Sequence, residues 1–331
     1  MINVAIIGAT GLVGQELLLL LEKKEYIKAS NIFLFASKDS IKKKRKFKDS
    51  ELPIYTLNEQ KILKNIQIAF FCAGNKISKK YIPFFIRKKI FCIDLSSAYR
   101  LKKEIPLIIP EINKQQLNYH KYLVSSPNCT TTIMLLPLYP LHKKFNLKQI
   151  LLTTYQAFSG AGAALVKKLK DETLNVLTKK NYSSYHAFNL FPHESKENKK
   201  GFCEEEVKVI KETHKILNSK IEIIPTCIRV PILRAHSLSI KATFNKKITK
   251  SKIISILEQA QGVEIFKPTS SGRHATPFDA TFKKSIFCSK IITYPKNNML
   301  NLWIVGDQLL KGAALNAFQI FELFIKNQQN F

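Results

Sequence analysis

Arginine is nearly absent from this strongly basic chain. Six of its 53 basic residues are arginine, and only 24 acidic residues offset them, leaving a formal charge of +29. Dense positive charge attracts phosphate, so nucleic acid or an anionic membrane is the first partner to weigh. Arginine, however, is the residue that grips phosphate bidentately and reads bases, and its scarcity argues against a nucleic-acid binder. The abundance of Lys, Ile, Asn and Phe, which share A/T-rich codons, points to compositional drift. A basic surface also suits phosphorylated substrates and cofactors.

Paired cysteine motifs are missing too. Cys72, Cys92, Cys129, Cys203, Cys227 and Cys288 include no C-x-x-C and no regular spacing. That excludes a zinc ribbon and a disulfide framework, and no metal is expected. No apolar run approaches the roughly 18 residues of a membrane span. No internal repeat is visible, and no basic leader or cleavage site precedes the first strand-like run. The expectation is a soluble, reduced, cytoplasmic protein with neither nucleic acid nor membrane as partner.

At 331 residues the chain exceeds a single typical core and suits two domains. Ile2–Ile7 reads as a buried strand, followed by a glycine-rich turn and an apolar helix over Gln15–Leu21. Ile32–Ala36, Ile66–Ala73 and Phe91–Asp94 read as further short strands, with helical stretches such as Lys79–Lys88 between them. This alternation predicts an α/β fold, a Rossmann-type doubly wound parallel sheet. From residue 129 the character changes. Cys129–His142 reads as a helix, and Gln149–Gln156, Ile221–Val230, Ser237–Thr243, Ser285–Ile292 and Leu300–Val305 as longer strands of a mixed or antiparallel sheet. Lys311–Lys326 is apolar at helical spacing and suits a return to the first domain. The expected division is a dinucleotide-binding domain over 1–127, completed by 307–331, and an α+β catalytic and dimerisation domain over 128–306. The lysine run Lys42–Lys48 reads as a solvated loop or edge, and the polar, irregular Asn175–Lys200 as a surface excursion or partner-facing arm.

Gly8-Ala9-Thr10-Gly11-Leu12-Val13-Gly14 follows the first strand and opens a helix, a variant of the dinucleotide fingerprint. Glycine lets the backbone turn tightly and approach pyrophosphate at a helix N-terminus. The end of the second strand selects the cofactor, since a carboxylate binds the ribose hydroxyl of NAD while hydroxyls and cations suit the 2′-phosphate of NADP. Ser37, Lys38 and Ser40 favour NADP, and Asp39 pulls the other way.

In Ser125-Ser126-Pro127-Asn128-Cys129, Pro127 and Asn128 are initiating residues, with Asn128 a candidate N-cap. Cys129 then falls in the first helical turn, where backbone N–H groups and the helix dipole stabilise a thiolate. The other five cysteines lie in apolar or nondescript contexts and read as inert thiols.

Pro127-Asn128-Cys129-Thr130-Thr131, Tyr155-Gln156-Ala157-Phe158-Ser159-Gly160-Ala161-Gly162, and Arg229-Val230-Pro231-Ile232-Leu233-Arg234-Ala235-His236-Ser237 together resemble the motifs of the aspartate-semialdehyde dehydrogenases. So do Asn189-Leu190-Phe191-Pro192-His193, Glu204-Glu205-Glu206-Val207-Lys208 and Gly306-Asp307-Gln308-Leu309-Leu310-Lys311-Gly312. The motifs run in the family's order over nearly the whole chain. The resemblance implies a homodimeric, NADP-linked enzyme acting on aspartyl phosphate, aspartate semialdehyde and phosphate in lysine/diaminopimelate, methionine and threonine biosynthesis. It implies Cys129 as nucleophile, His236 as general acid/base and Gln156 as the amide that orients substrate. It assigns the substrate carboxylate to Arg229, the ammonium to Glu205, and phosphate to Arg100, Lys208 and the neighbourhood of Asn128. Gly8, Thr10, Gly11, Leu12, Val13 and Gly74 would contact the nucleotide, Ser159 and Gly160 the nicotinamide side, and Gln308 the vicinity of the cofactor.

Three positions depart from the family's pattern: Asp39, Ser126 and Asn75. Pro231 between Arg229 and His236 predicts a bend, because seven residues of unbroken strand would put the two on opposite faces. Glu205 and Lys208 could equally form a solvated pair one helical turn apart. The nearest rival is the N-acetyl-γ-glutamyl-phosphate reductase type of enzyme, against which Glu205 argues, because an acetylated amine needs no carboxylate partner.

Overall fold

The computed structural model describes residues 2–40, 44–57, 65–179 and 184–329. Residues 42 and 43 of the lysine run and residues 180–183 of the polar arm lie outside the described residues. The chain forms two compact units, Met1–Asn128 with Ala313–Phe331, and Cys129–Gly312.

The first unit contains β1 (Val4–Ile7), β2 (Ile32–Phe35), β3 (Arg45–Phe47), β4 (Ser50–Leu52), β5 (Ile54–Tyr55), β6 (Ile68–Phe71), β7 (Phe91–Asp94) and β8 (Leu123–Ser125). Six of these form a parallel sheet in the order β5-β2-β1-β6-β7-β8, while β3 and β4 pair as a small antiparallel ribbon. Runs such as Val-Ala-Ile-Ile and Ile-Ala-Phe-Phe are buried throughout, as strands covered on both faces must be. The strand order reverses at β1, and in such sheets ligands bind outside the carboxyl ends at the reversal. The helices are α1 (Leu12–Glu22), α2 (Asn75–Arg87) and α3 (Pro110–Asn113). Helix α1 begins three residues before the expected Gln15, because Gly11, extended at φ −73° and ψ 162°, already stands at the N-cap. Strand β1 is shorter than expected and starts at Val4, since Ile2 and Asn3 lie outside the ladder.

The second unit opens with α4 (Cys129–Phe145) and is built on β9 (Leu147–Gln156), β10 (Phe191–Pro192), β11 (Glu222–Arg229), β12 (His236–Phe244), β13 (Val263–Ile265), β14 (Ile286–Tyr294) and β15 (Met299–Gly306). They form one mixed sheet in the order β10-β11-β9-β12-β15-β14-β13. Helices α5 (Ala163–Leu177), α6 (Glu204–Leu217), α7 (Lys250–Glu258) and α8 (Pro277–Ala280) complete the unit. Helix α4 packs on β9, β12, β14 and β15 and buries a nearly continuous run from Thr130 to Leu138. It passes the expected end at His142 and stops at Asn146, whose left-handed φ of 57° lets its N–H reach the His142 carbonyl. The polar arm is less irregular than its composition suggests, with α5 running to Leu177 and β10 pairing with β11.

A π-turn over Leu310–Ala314 leads to α9 (Leu315–Gln329), which belongs to the first unit. There Phe321 meets Phe70, and Phe324 stacks on Phe91 with ring centroids 3.8 Å apart. Among the described residues, no helix is long and apolar enough to cross a membrane.

Candidate active site

In the first unit, the glycine turn is shaped by two contacts. Gly8 has a φ of +95°, and a Cβ on Gly14 would stand 2.3 Å from the Gly8 carbonyl oxygen, so a side chain there would push α1 away from the turn. Beside it lies a cavity of about 520 Å³, lined among others by Gly8, Thr10, Gly11, Ser37, Lys38 and Tyr81. Leu12 and Val13 form the first turn of α1, and Gly74 is the N-cap of α2 with φ 84°. Lys38, Asp39 and Ser40 make one 3₁₀ turn after β2, and Asp39 and Ser40 are not part of the cavity lining. The turn, the helix terminus and the hydroxyl and ammonium groups suit a dinucleotide, with its phosphates at the N–H groups of α1.

Also in this unit, Arg100 is buried and donates to the carbonyls of Ser126 (2.9 Å) and Leu95 (2.8 Å). Asp94 receives hydrogen bonds from Ser78 and Ser96. Burial raises its carboxyl above the usual range, and these bonds and Arg100 only partly oppose that. Asn316 of α9 donates to the Ser126 hydroxyl and the Ile108 carbonyl, pinning the segment that ends at Asn128, immediately before α4. Asn75 pairs with Ser97 through both ends of its amide, so the residue that departs from the family pattern fixes the start of α2.

The second unit brings nine sequence-predicted residues onto neighbouring elements. Strand β9 lies between β11 and β12, and its last residue, Gln156, is in register with Arg229, the last residue of β11. On its other side Tyr155 pairs with Ser237, so His236 stands at the same end of the sheet. Between Arg229 and His236 the chain leaves the sheet, and Pro231 lies in this turn. Both side chains then converge on Gly160, where an added Cβ would meet the His236 ring at 3.2 Å and Arg229 Nη1 at 3.6 Å.

Cys129 Sγ, in the first turn of α4, is 3.7 Å from His236 Nε2. The Ala157 amide donates to His236 Nδ1 at 3.0 Å. That bond makes Nδ1 an acceptor, so a neutral ring carries its proton on Nε2, facing the sulfur. Burial first, and Arg229 next, hold the His236 pKa well below the ordinary histidine range, with the Ala235 backbone opposing. The ring is therefore neutral near pH 7. Burial also lowers the Arg229 pKa, while Glu205 and then Cys129 oppose that shift.

Arg229 donates to the Ala157 carbonyl from Nη1 (2.8 Å) and to His193 Nε2 from Nη2 (3.0 Å). Gln156 is buried, its Nε2 directed at Thr130 (3.1 Å), Thr154 (3.3 Å) and Glu205 Oε1 (3.5 Å). Glu205 is also buried and stands 3.5 Å from Lys208 Nζ, so the pair is not a solvated surface contact. Gln308 is committed at both ends. Its Oε1 accepts from Ala235 N (2.8 Å) and its Nε2 donates to the Ser159 hydroxyl (2.5 Å), which braces the His236 segment against the turn carrying Ser159 and Gly160.

Three contributors had no role in the sequence reading. Ala157 holds His236 with its N–H and Arg229 with its carbonyl, and backbone groups leave no residue signature. Gly312 packs against Cys129. His193 was visible only as part of a motif.

The chain matches the semialdehyde dehydrogenase NAD-binding domain over residues 3–120 and the semialdehyde dehydrogenase dimerisation domain over 138–311. It is 38% identical to an aspartate-semialdehyde dehydrogenase of Rickettsia bellii, over 98% of both chains. It is 37% identical to that of Prochlorococcus marinus, over 98% of this chain and 96% of the relative. The crystal structure of aspartate semialdehyde dehydrogenase II from Vibrio cholerae superposes with a TM-score of 0.92 at 32% identity, covering 98% of each chain. By the family models and by these full-length relatives, the chain belongs to the aspartate-semialdehyde dehydrogenase family of oxidoreductases.

Proposed function

We propose that this chain catalyses the reversible, NADPH-linked reductive dephosphorylation of 4-phospho-L-aspartate to L-aspartate 4-semialdehyde, through a thioester on Cys129. The observation that carries the reading is the 3.7 Å approach of Cys129 Sγ, at a helix N-terminus, to a buried neutral His236. Arg229 and Glu205 stand alongside. A guanidinium suits the substrate carboxylate and a buried carboxylate suits its ammonium. The latter favours a free amino group over an acetylated one. Arg100, Lys208 and Asn128 are assigned to phosphate.

The Cys129 thiolate displaces phosphate from the acyl carbon, forming a C–S bond as the C–O bond to phosphate breaks. Bound NADPH supplies the hydride that reduces this carbon. Nε2–H of His236 donates to the oxyanion that develops there. Collapse to the aldehyde returns the electron pair to sulfur, so reduction of the thioester needs no net proton; the one proton that the overall reaction takes up goes to the departing phosphate, from solvent. His236 then serves as a hydrogen-bond donor, a narrower role than general acid/base, and the Ala157 amide on Nδ1 supports it.

NADP is favoured over NAD because Ser37 and Lys38 line the nucleotide cavity while Asp39 does not. We also propose a homodimer. The outer face of the second unit's sheet carries the half-buried Leu151, Tyr155 and Trp303 beside the exposed Ile224, and the matched dimerisation domain spans this sheet.

The test is nicotinamide absorbance with aspartate semialdehyde, with and without phosphate, with NADP⁺ and NAD⁺, in wild type and Cys129→Ala. Phosphate-dependent reduction that disappears in the variant supports the reading. Turnover that survives the loss of Cys129 overturns the thioester, and no turnover with either cofactor overturns the substrate assignment.

A further inference from the structure

We infer that His193 is a positioning residue for Arg229, effective only as the neutral ring, which makes binding of the substrate carboxylate sensitive to acid. This rests on the proposed role of Arg229 as the carboxylate clamp. Strand β10 pairs antiparallel with β11, with Phe191 in register with Arg229 and Pro192 with Ile228. The His193 amide then bonds the Cys227 carbonyl at 2.8 Å, so the side chain at 193 lies alongside the end of β11.

Arg229 Nη2 is 3.0 Å from His193 Nε2. A guanidinium has donors only, so Nε2 must supply a lone pair. The neutral ring therefore carries its proton on Nδ1, where the Ser195 hydroxyl oxygen accepts at 3.0 Å. The Ser195 amide also points at Nδ1 from 3.3 Å, which suits the opposite tautomer; the shorter 3.0 Å contact from Arg229, a group with donors only, decides between the two. Ser195 Oγ also accepts from the Glu205 amide at 3.2 Å, and its hydroxyl is directed to Cys203, the N-cap of α6. A continuous chain thus runs from Arg229 through His193 and Ser195 to the start of α6, whose first two turns carry Glu205 and Lys208. It sets the carboxylate clamp and the ammonium partner relative to one another.

Several charges face His193. Arg229 comes from β11, and Glu205, Glu206 and Lys208 come from α6. Burial lowers the His193 pKa, Arg229 and Lys208 add to this, and the two glutamates oppose it. At neutral pH the ring accepts from Arg229. On protonation, Nε2 becomes a donor and a like charge stands 3.0 Å from Nη2, so Arg229 keeps only its bond to the Ala157 carbonyl. The consequence is loss of substrate binding, expressed in KM before kcat.

The experiment is the pH profile of KM and kcat for aspartate semialdehyde in wild type, His193→Gln and His193→Ala. An amide oxygen can accept from Nη2 and does not titrate. Wild-type KM is expected to climb about tenfold per pH unit below the His193 midpoint, while His193→Gln stays flat over that window. His193→Ala is expected to show KM about tenfold higher at every pH, with a smaller change in kcat. ¹⁵N spectra of histidine-labelled wild type, assigned with His193→Gln, are expected to show the Nδ1–H tautomer at neutral pH. The same acid-side rise of KM in His193→Gln, or a protonated Nε2 at neutral pH, overturns the proposal. An inactive wild type would instead overturn the proposed reaction and leave the tautomer as the deciding readout.

Discussion

Gly312 and Cys129 are in such close contact that a Cβ on the glycine would stand 2.8 Å from Cys129 Cβ and 3.3 Å from its Cα. The proposed nucleophile is thus backed by a residue with no side chain. Atoms this near cannot coexist, so Gly312→Ala must displace the first turn of α4. Misplacement by a fraction of an ångström to one ångström is enough to spoil a near-attack geometry. We expect kcat to fall by about 10²-fold, with the cooperative thermal unfolding of the fold retained. Near-native kcat in Gly312→Ala would mean that α4 shifts without consequence for the sulfur.

His236 offers a second test, because its two candidate roles respond differently to substitution. Losing one hydrogen-bond donor to a developing oxyanion costs about 10²–10³-fold in kcat. His236→Ala is expected to lose that much. His236→Gln keeps an N–H that can reach the same region and should retain about tenfold more activity than the alanine variant. Equal losses in single-turnover measurements would favour a ring that shuttles a proton.

Much of this was readable before any coordinates. The buried runs of β1, β6 and β7 announced a parallel sheet because strands covered on both faces must be apolar throughout. Cys129 stood out because Pro127 and Asn128 marked a helix start. The short strands were harder: β3, β4 and β5 have two or three residues each, too few for a period to register. The convergence of Gln156, Arg229 and His236 was opaque for another reason. It depends on β9 lying between one parallel and one antiparallel neighbour, and pairing partners are not written in local sequence. The grip of Ala157 on two site residues is a backbone effect that any residue but proline could supply at the N–H.

Asp39 tests the cofactor assignment. It is exposed in the 3₁₀ turn that follows β2, next to Lys38 on the wall of the cavity beside the glycine turn. A carboxylate there repels a 2′-phosphate through solvent and offers an acceptor to a ribose hydroxyl. Asp39→Lys should therefore raise the ratio of kcat/KM for NADP⁺ over NAD⁺, by about tenfold at low salt, and high salt should shrink the gain. A ratio that does not move would place the phosphate away from this turn.

Glu172 of α5 accepts from the Ser184 hydroxyl (2.7 Å) and the His186 amide (2.9 Å), and lies 2.7 Å from His186 Nδ1. Burial pushes its carboxyl up, but these bonds outweigh burial and lower its pKa to about 2. A depressed folded-state pKa stabilises the fold above the unfolded carboxylate's pKa, near 4.3. That contribution is lost as pH falls through the window down to about 2. His186 packs on Phe158 and Phe191, so the contribution acts on the wall beside Ser159 and His193. Glu172→Gln should unfold at lower urea concentration than wild type at pH 6, and the gap should close steadily between pH 4 and pH 2. A gap that persists unchanged into acid would mean that the stabilisation comes from side-chain packing, which the amide would have disturbed equally at every pH.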